Sequence, residues 1–323
     1  MPNLALSNIP HLLITHPYCA LRHAYPIWYY VCNRRAKSLF CSEKRALSAL
    51  QQKLIKELKD TGSAVTNLGD LFPEENLLPV MQAEVERLKV AASQKTGKDF
   101  LRYLWGTAPT VNFEDPFIKF VLDKRIVDIV NGYMEMWAKF YFMTLNITIP
   151  VGRDAKAKQS QQWHRDSDDK KICKVFLYLT DVDSEAGPFF SAKGSQYGGR
   201  WRYLFGQRPP HGSRAPFGEV ERRVPREHIR EFTAPAGTII FCDTSALHKG
   251  GYATAKERIM FTGEFASEAS YKYNFYRAIK LPADYSKQVA YSALDDSIKY
   301  ALNPPTAPAF MKIVNKLDSA FQE

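Results

Sequence analysis

After Tyr133 the sequence changes character. Upstream, apolar residues recur every three or four positions; downstream, they come in short β-branched and aromatic runs broken by Gly, Pro, Asp and Ser. The division predicts an α+β chain with a helical N-terminal layer followed by an antiparallel β-core. In the first part, Leu47, Leu50, Leu54 and Leu58 predict a helix from an N-cap at Ser42 to about Lys59, ended by Gly62. Residues 63–68 read as a short strand. A second helix is expected from Pro73 and Glu74 to about residue 92, and a third from Pro116 to about Tyr133. Strands are expected at 139–150, 161–164, 172–179, 187–191, 237–241 and 258–265.

About 45 residues between Ser191 and Gly237 interrupt the β-core, too many for an ordinary connection, so a functional lid is expected there. A last helical stretch covers 283–302, followed by Pro304, Pro305 and a short amphipathic tail. The expected organisation is an N-terminal arm (1–41), a main domain (42–282, with a β-core at about 139–266 and an insert at about 195–235) and a helical C-terminal tail (283–323).

The chain has 323 residues, 45% of them hydrophobic, enough for a sizeable core, and 24% charged, an ordinary globular share. A net charge of +10 favours anionic partners without choosing among them. The five cysteines (19, 32, 41, 173, 242) form no CxxC pair, which argues against a disulfide framework or structural zinc and for a reducing, cytoplasmic setting. No apolar run approaches the ~18 residues needed to cross a bilayer. The arm joins Tyr18, Tyr25, Trp28, Tyr29 and Tyr30 to Arg22, Arg34, Arg35 and Lys37 with no acid. It could touch a membrane surface or an anionic substrate, or simply wrap the domain with its aromatics in the core.

The chemistry lies in three short segments. Gln162-Trp163-His164-Arg165-Asp166 contains His-x-Asp, and in an extended segment residues two apart point the same way, so His164 and Asp166 can converge on one metal ion. His-x-Asp is common by chance and needs a third ligand. His248 supplies one 84 residues later, after the β run Ala236–Phe241. Two histidines and a carboxylate form the facial triad of iron(II) oxygenases, which leaves coordination positions open for co-substrate and O₂. Arg258 follows His248 by ten residues. On an adjacent strand it would point into the barrel and hold a carboxylate bidentately.

His164-x-Asp166, His248 and Arg258 resemble the iron(II)/2-oxoglutarate dioxygenases, specifically the phytanoyl-CoA dioxygenase-like family. Gly187–Ser195 is similar to that family's strand ending in a P-G-S-H turn, with Lys193 in place of the proline and Gln196 in place of the histidine. Residues 236–242 are similar to its strand before the distal histidine. The resemblance covers roughly residues 58–270. It implies a double-stranded β-helix (a jelly-roll, cupin-like core), Fe(II) on His164, Asp166 and His248, and 2-oxoglutarate as co-substrate with its far carboxylate on Arg258. It also suggests a polar contact from the strand carrying Thr144, Asn146 and Thr148, and Asn146 is the candidate. Related halogenating enzymes replace the metal carboxylate by a small residue; Asp166 is present, so oxygenation, most simply hydroxylation, is expected.

The expected partner is a small organic substrate. The insert's arginines (200, 202, 208, 214, 222, 223, 226, 230) either recognise an anionic group on it, as in an acyl-CoA or a phosphorylated or lipid-linked sugar, or form a solvated basic loop. Trp163 and Tyr178 either line its pocket or serve packing. Two other classes remain: a jelly-roll binding protein without catalysis, disfavoured because the three ligands and the arginine are all present, and a nucleic-acid-directed dioxygenase. The sequence contains no recognised nucleic-acid module, so nucleic acid is not expected as a partner.

Overall fold

The computed structural model describes residue 17 and residues 19–91, 100–105, 108–151, 158–209, 212–270 and 279–304. The tail beyond 304 and most of the first 18 residues lie outside the described residues.

The first long helix is Ala49–Thr61, starting later than expected. Ser48 and Gln51 close a reciprocal capping box: the Gln51 amide donates to Ser48 Oγ and the Ser48 amide to Gln51 Oε1. Ser42 instead ends the preceding helix, Arg34–Ser42. Gly62 ends Ala49–Thr61 at φ 84°, a left-handed position where glycine has no Cβ penalty. The second helix is Leu77–Ala91; before it, Asn67 caps a single turn, Leu68–Leu71. The third is two helices, Pro116–Val121 and Lys124–Met134, because Asp123 accepts from the Arg125 amide and starts a new N-terminus.

Among the described residues there are eleven strands, in chain order: β1 Ser63–Asn67, β2 Leu101–Tyr103, β3 Lys139–Thr148, β4 His164–Arg165, β5 Ile172–Tyr178, β6 Phe189–Ala192, β7 Ser213–Arg214, β8 Ile229–Phe232, β9 Thr238–Asp243, β10 His248–Gly250 and β11 Arg258–Ala266. They form a six-stranded sheet, β1-β9-β5-β11-β3-β2, and a five-stranded sheet, β7-β4-β10-β6-β8. Every pairing is antiparallel. The expected strand at 161–164 begins only at His164; Gln159–Gln161 is a 3₁₀ turn. The interrupting segment is partly scaffold, since β7 and β8, the edges of the smaller sheet, come from it.

Alternation along the large sheet sorts its two faces. Leu145, Ile147, Val175, Leu177, Ile239, Phe241 and Phe261 join one buried cluster with Leu54, Leu58, Phe117, Phe120 and Ile129 of the helices. Phe176, Tyr178, Ile240 and Cys242 face the other way and pack on Phe189 and Phe232 of the smaller sheet. The large sheet is therefore the middle layer. The last helix, Asp296–Leu302, buries Ile298, Tyr300 and Leu302, and its Tyr300 and Asn303 carbonyls accept from Lys139 Nζ. In the N-terminal arm, Trp28 is buried and donates to Asp169, Tyr25 stacks on Tyr29 and Tyr197, and Tyr30 stays exposed.

Phe261 sits at the centre of the helix–sheet contact, fully buried, 5.3 Å from the Phe117 ring and 6.0 Å from both Trp105 and Phe120. Phe261→Ala should cost about 3–5 kcal/mol, read as a lowered urea midpoint with an unchanged slope.

Candidate metal centre

His164 and His248 are cross-strand partners: β4 lies between β10 and β7, and His164 pairs with His248 on one side and Arg214 on the other. Their rings lie 4.1 Å apart. Period two brings Asp166 to the same side, with Oδ1 3.6 Å from His164 Nε2 and Oδ2 3.6 Å from His248 Nε2. One ligand atom from each residue lies within 4.8 Å of the others. Cis ligands of an octahedral ion with ~2.1 Å bonds sit roughly 3 Å apart, so small side-chain adjustments would close the site.

The protonation of the imidazoles follows from their partners. His164 Nδ1 meets the Gln162 carbonyl at 2.8 Å and His248 Nδ1 the Ala246 carbonyl at 3.0 Å. A carbonyl only accepts, so each Nδ1 carries the hydrogen and each Nε2 presents a lone pair towards Asp166. Burial lowers both imidazoles, His248 to about 3 with the neighbouring His164 adding to the effect. Both are thus neutral near pH 7, as metal ligation requires.

Arg165, between the two ligands, must point the opposite way. Its buried guanidinium donates to the carbonyls of Ser195, Ser245, Trp201, Leu204 and Phe205 at 2.7–3.3 Å. Three of those five carbonyls belong to residues 201–205 of the insert, so the ligand strand and the insert are fixed to each other by one side chain.

The inner face of the large sheet forms rows of cross-strand partners: Lys174–Glu264–Phe142, then Phe176–Thr262–Thr144, then Tyr178–Met260–Asn146, then Arg258–Thr148. Lys174 Nζ reaches Asp166 Oδ2 at 2.7 Å and Glu264 Oε2 at 3.0 Å. Burial would raise the Asp166 carboxyl, but the Lys174 ammonium holds it well below the usual carboxylate range. Burial pushes Glu264 up. Lys174 and Glu264 were not singled out from the sequence. Their signal is a lone lysine in the apolar run Ile172–Leu179, in phase with the inward-facing Phe176 and Tyr178.

Arg258 lies at the other end of this face. It is 4% exposed; it donates to Thr148 Oγ1 and the Gly187 carbonyl, and its Nε is buried without a partner among the described residues. Asn146 Oδ1 accepts from Thr144. His164, Asp166, His248, Arg258 and Asn146 all line one cavity of about 380 Å³, together with Lys174 and Arg214. The structure thus brings all five candidate residues to one space.

Of the two readings open for Trp163 and Tyr178, neither residue lines this cavity and both are buried. Trp163 precedes an inward-facing residue and so points outward, where it lines a separate groove and donates to Glu221. Tyr178 is fully buried and bonds to the Phe232 carbonyl and the Phe189 amide. Among the described insert arginines, Arg214 alone lines the cavity. Arg222 and Arg223 pair with Glu219, Arg230 with Glu57, Arg202 bonds to the Gly199 carbonyl, and Arg200 lies over Trp201.

No protein-family model and no curated protein sequence matches this chain. Solved structures similar to it include non-haem α-ketoglutarate-dependent enzymes. One is the epimerase SnoN in complex with Fe³⁺, α-ketoglutarate and nogalamycin RO (14% identity over 68% of this chain and 84% of that one, TM-score 0.49). Another is the carbocyclase SnoK from nogalamycin biosynthesis (13%, 69% and 88%, TM-score 0.49). A third is HygX from Streptomyces hygroscopicus with nickel, 2-oxoglutarate and hygromycin B bound (15%, 68% and 88%, TM-score 0.45). The residue roles in this chain rest on its own geometry.

Arg165→Lys keeps the charge but offers three donors to five carbonyls. With about 1–3 kcal/mol for each buried acceptor left unpaired, the loss should be on the order of 3 kcal/mol. Trypsin cleavage at Arg200 and Arg202 should accelerate while far-UV circular dichroism is unchanged; equal cleavage rates would show that Arg165 does not anchor the insert.

Proposed function

We propose that this chain is a non-haem iron(II)/2-oxoglutarate-dependent oxygenase of the phytanoyl-CoA dioxygenase-like family, built on a double-stranded β-helix, and that it hydroxylates a small organic substrate. The observation that carries the reading is the convergence of His164 Nε2, Asp166 and His248 Nε2 within 4.8 Å, in the cavity that Arg258 also lines. The donor set fits iron(II): two neutral imidazoles and one ionised carboxylate, with no thiolate among them. The co-substrate fits as well, because the buried Arg258 Nε lacks an acceptor, which the far carboxylate of 2-oxoglutarate would supply.

Bound iron(II) with 2-oxoglutarate and O₂ supplies oxidation of a C–H bond coupled to decarboxylation of the co-substrate to succinate. The protein's own residues do the rest. His164 and His248 each offer Nε2 because Nδ1 is committed to a carbonyl. Lys174 holds Asp166 Oδ2, which leaves Oδ1 the freer oxygen for a metal and fixes the carboxylate plane. Arg258, with Thr148 bonded to it, would hold the far carboxylate, and Asn146, its Oδ1 accepting from Thr144, would keep its amide nitrogen as a donor for the acid. Phe176, Phe189 and Met260 wall the cavity with apolar surface and keep water from the reacting carbon. We assign the protein to the cytoplasm on its five free cysteines. Among the described residues no helix is long and apolar enough to cross a membrane.

His164→Ala or His248→Ala should remove most high-affinity Mn(II) binding, followed by the electron paramagnetic resonance signal of the free ion, and abolish substrate-coupled succinate release. Retention of wild-type affinity by either variant would overturn the triad. Arg258→Ala should leave Mn(II) binding intact and raise the 2-oxoglutarate requirement at least tenfold, since losing the partner of a buried carboxylate costs about 2–5 kcal/mol. Asp166 occupies the position a halide would need, so turnover in chloride buffer should give no chlorinated product by mass spectrometry.

A further inference from the structure

Arg214 is placed differently from the other arginines of the insert. It is the cross-strand partner of His164, and partners in an antiparallel pair project to the same face. His164 faces the cavity, and Arg214 lines that cavity with it. Arg214 also lines the smaller opening of about 240 Å³ beside His164, Asp166 and Asp168. Its guanidinium has no ion pair or side-chain hydrogen bond among the described residues, whereas Arg222, Arg223 and Arg230 are each paired with an acid. The nearby Asp166 is already ion-paired with Lys174.

A second donor in the same cavity also lacks an acceptor. Gln161 is 5% exposed; its Oε1 accepts from the Lys158 amide, and its Nε2 is buried without a partner among the described residues. A buried unpaired amide hydrogen costs about 1–3 kcal/mol, which an incoming oxygen acceptor would recover. The wall on the β2–β3 side is apolar and aromatic, formed by Phe100, Leu101, Tyr103 and Phe142. The cavity thus pairs an apolar wall with an unneutralised cation and an unsatisfied donor beside the metal ligands.

We infer that Arg214 is the specificity-determining residue of this site, and that the substrate is a compact organic anion whose carboxylate or phosphate is held by Arg214, with Gln161 as a second donor and its apolar body against Phe100, Tyr103 and Phe142. The inference rests on the oxygenase reading for which molecule is oxidised, but the binding it requires is measured without turnover. An arginine matches a carboxylate or phosphate with two parallel hydrogen bonds. Its exposure makes the pairing sensitive to salt.

The test uses the full-length protein with four probes of one carbon skeleton: 3-phenylpropanoate, 3-phenylpropyl phosphate, 3-phenylpropanol and 3-phenylpropylamine. Affinities are read by saturation-transfer NMR in wild type, Arg214→Gln and Arg214→Glu, and each probe's distance from the centre by broadening from bound Mn(II). At least one acid should bind wild type ten times more tightly than the alcohol and be broadened by Mn(II). Whichever acid binds better identifies the anionic group. Arg214→Gln should erase the tenfold preference and leave the alcohol unchanged, and Arg214→Glu should prefer the amine. The inference is overturned if neither acid binds better than the alcohol, or if the preference survives in Arg214→Gln. Arg214-dependent binding without any Mn(II) binding would sink the metal reading instead and leave the anion site standing.

Discussion

Everything at the candidate centre depends on the direction of one side chain, the guanidinium of Arg165. A two-residue strand has little to hold it in register. β4 keeps its place because His164 and Asp166 face the cavity while Arg165, turned to the other side, satisfies five backbone carbonyls. Those carbonyls belong to the turn after β6, the loop before β10 and the insert. One buried cation therefore ties the loop leading to His248 and the segment leading to Arg214 to the strand that carries His164 and Asp166. Burial lowers its pKa to about 10, which still leaves it charged near neutrality.

The large sheet carries the second constraint. One face is given to aliphatic and aromatic contact with the helices, and there it behaves as an ordinary core. The opposite face packs on the small sheet through Phe176, Tyr178, Ile240 and Cys242. Along β3 and β11 the same alternation places Thr144, Asn146, Thr148, Arg258, Thr262 and Glu264, so the cavity inherits its polarity from strand phase. The buried Lys174 sits between two carboxylates, Asp166 and Glu264. Removing the lysine would leave the ionised Asp166 buried without its cation and the Glu264 carboxyl, pushed up by burial, without its donor.

Among the secondary elements, what could be read in advance was what local rules control. The helix end at Gly62 was legible because only the left-handed position explains a glycine there. The strands β3, β5, β9 and β11 were legible because β-branched and aromatic runs have few other uses. The helix start at Ser48 was misplaced because the leucine periodicity extends into the preceding loop, and only the reciprocal bonds with Gln51 locate the boundary. The break at Asp123 was missed because apolar spacing runs through it, although the aspartate was there to cap.

For the candidate centre, the sequence by itself determined the donor types and their strand phase: His-x-Asp on one side of an extended segment, a second histidine after a β run, and an arginine ten residues on. Period-two geometry is local, so His164 and Asp166 could be paired before any fold was known, whereas His248 and Arg258 were placed by their order and spacing and fall in different sheets. Only the tertiary structure decided that His164 and His248 lie at the same register, that Lys174 occupies one oxygen of Asp166, and that Trp163 faces away from the cavity. It also separated Arg214 from the other arginines of the insert. These outcomes depend on which strands become neighbours, and that is set by packing between segments far apart in the chain, which no local pattern encodes.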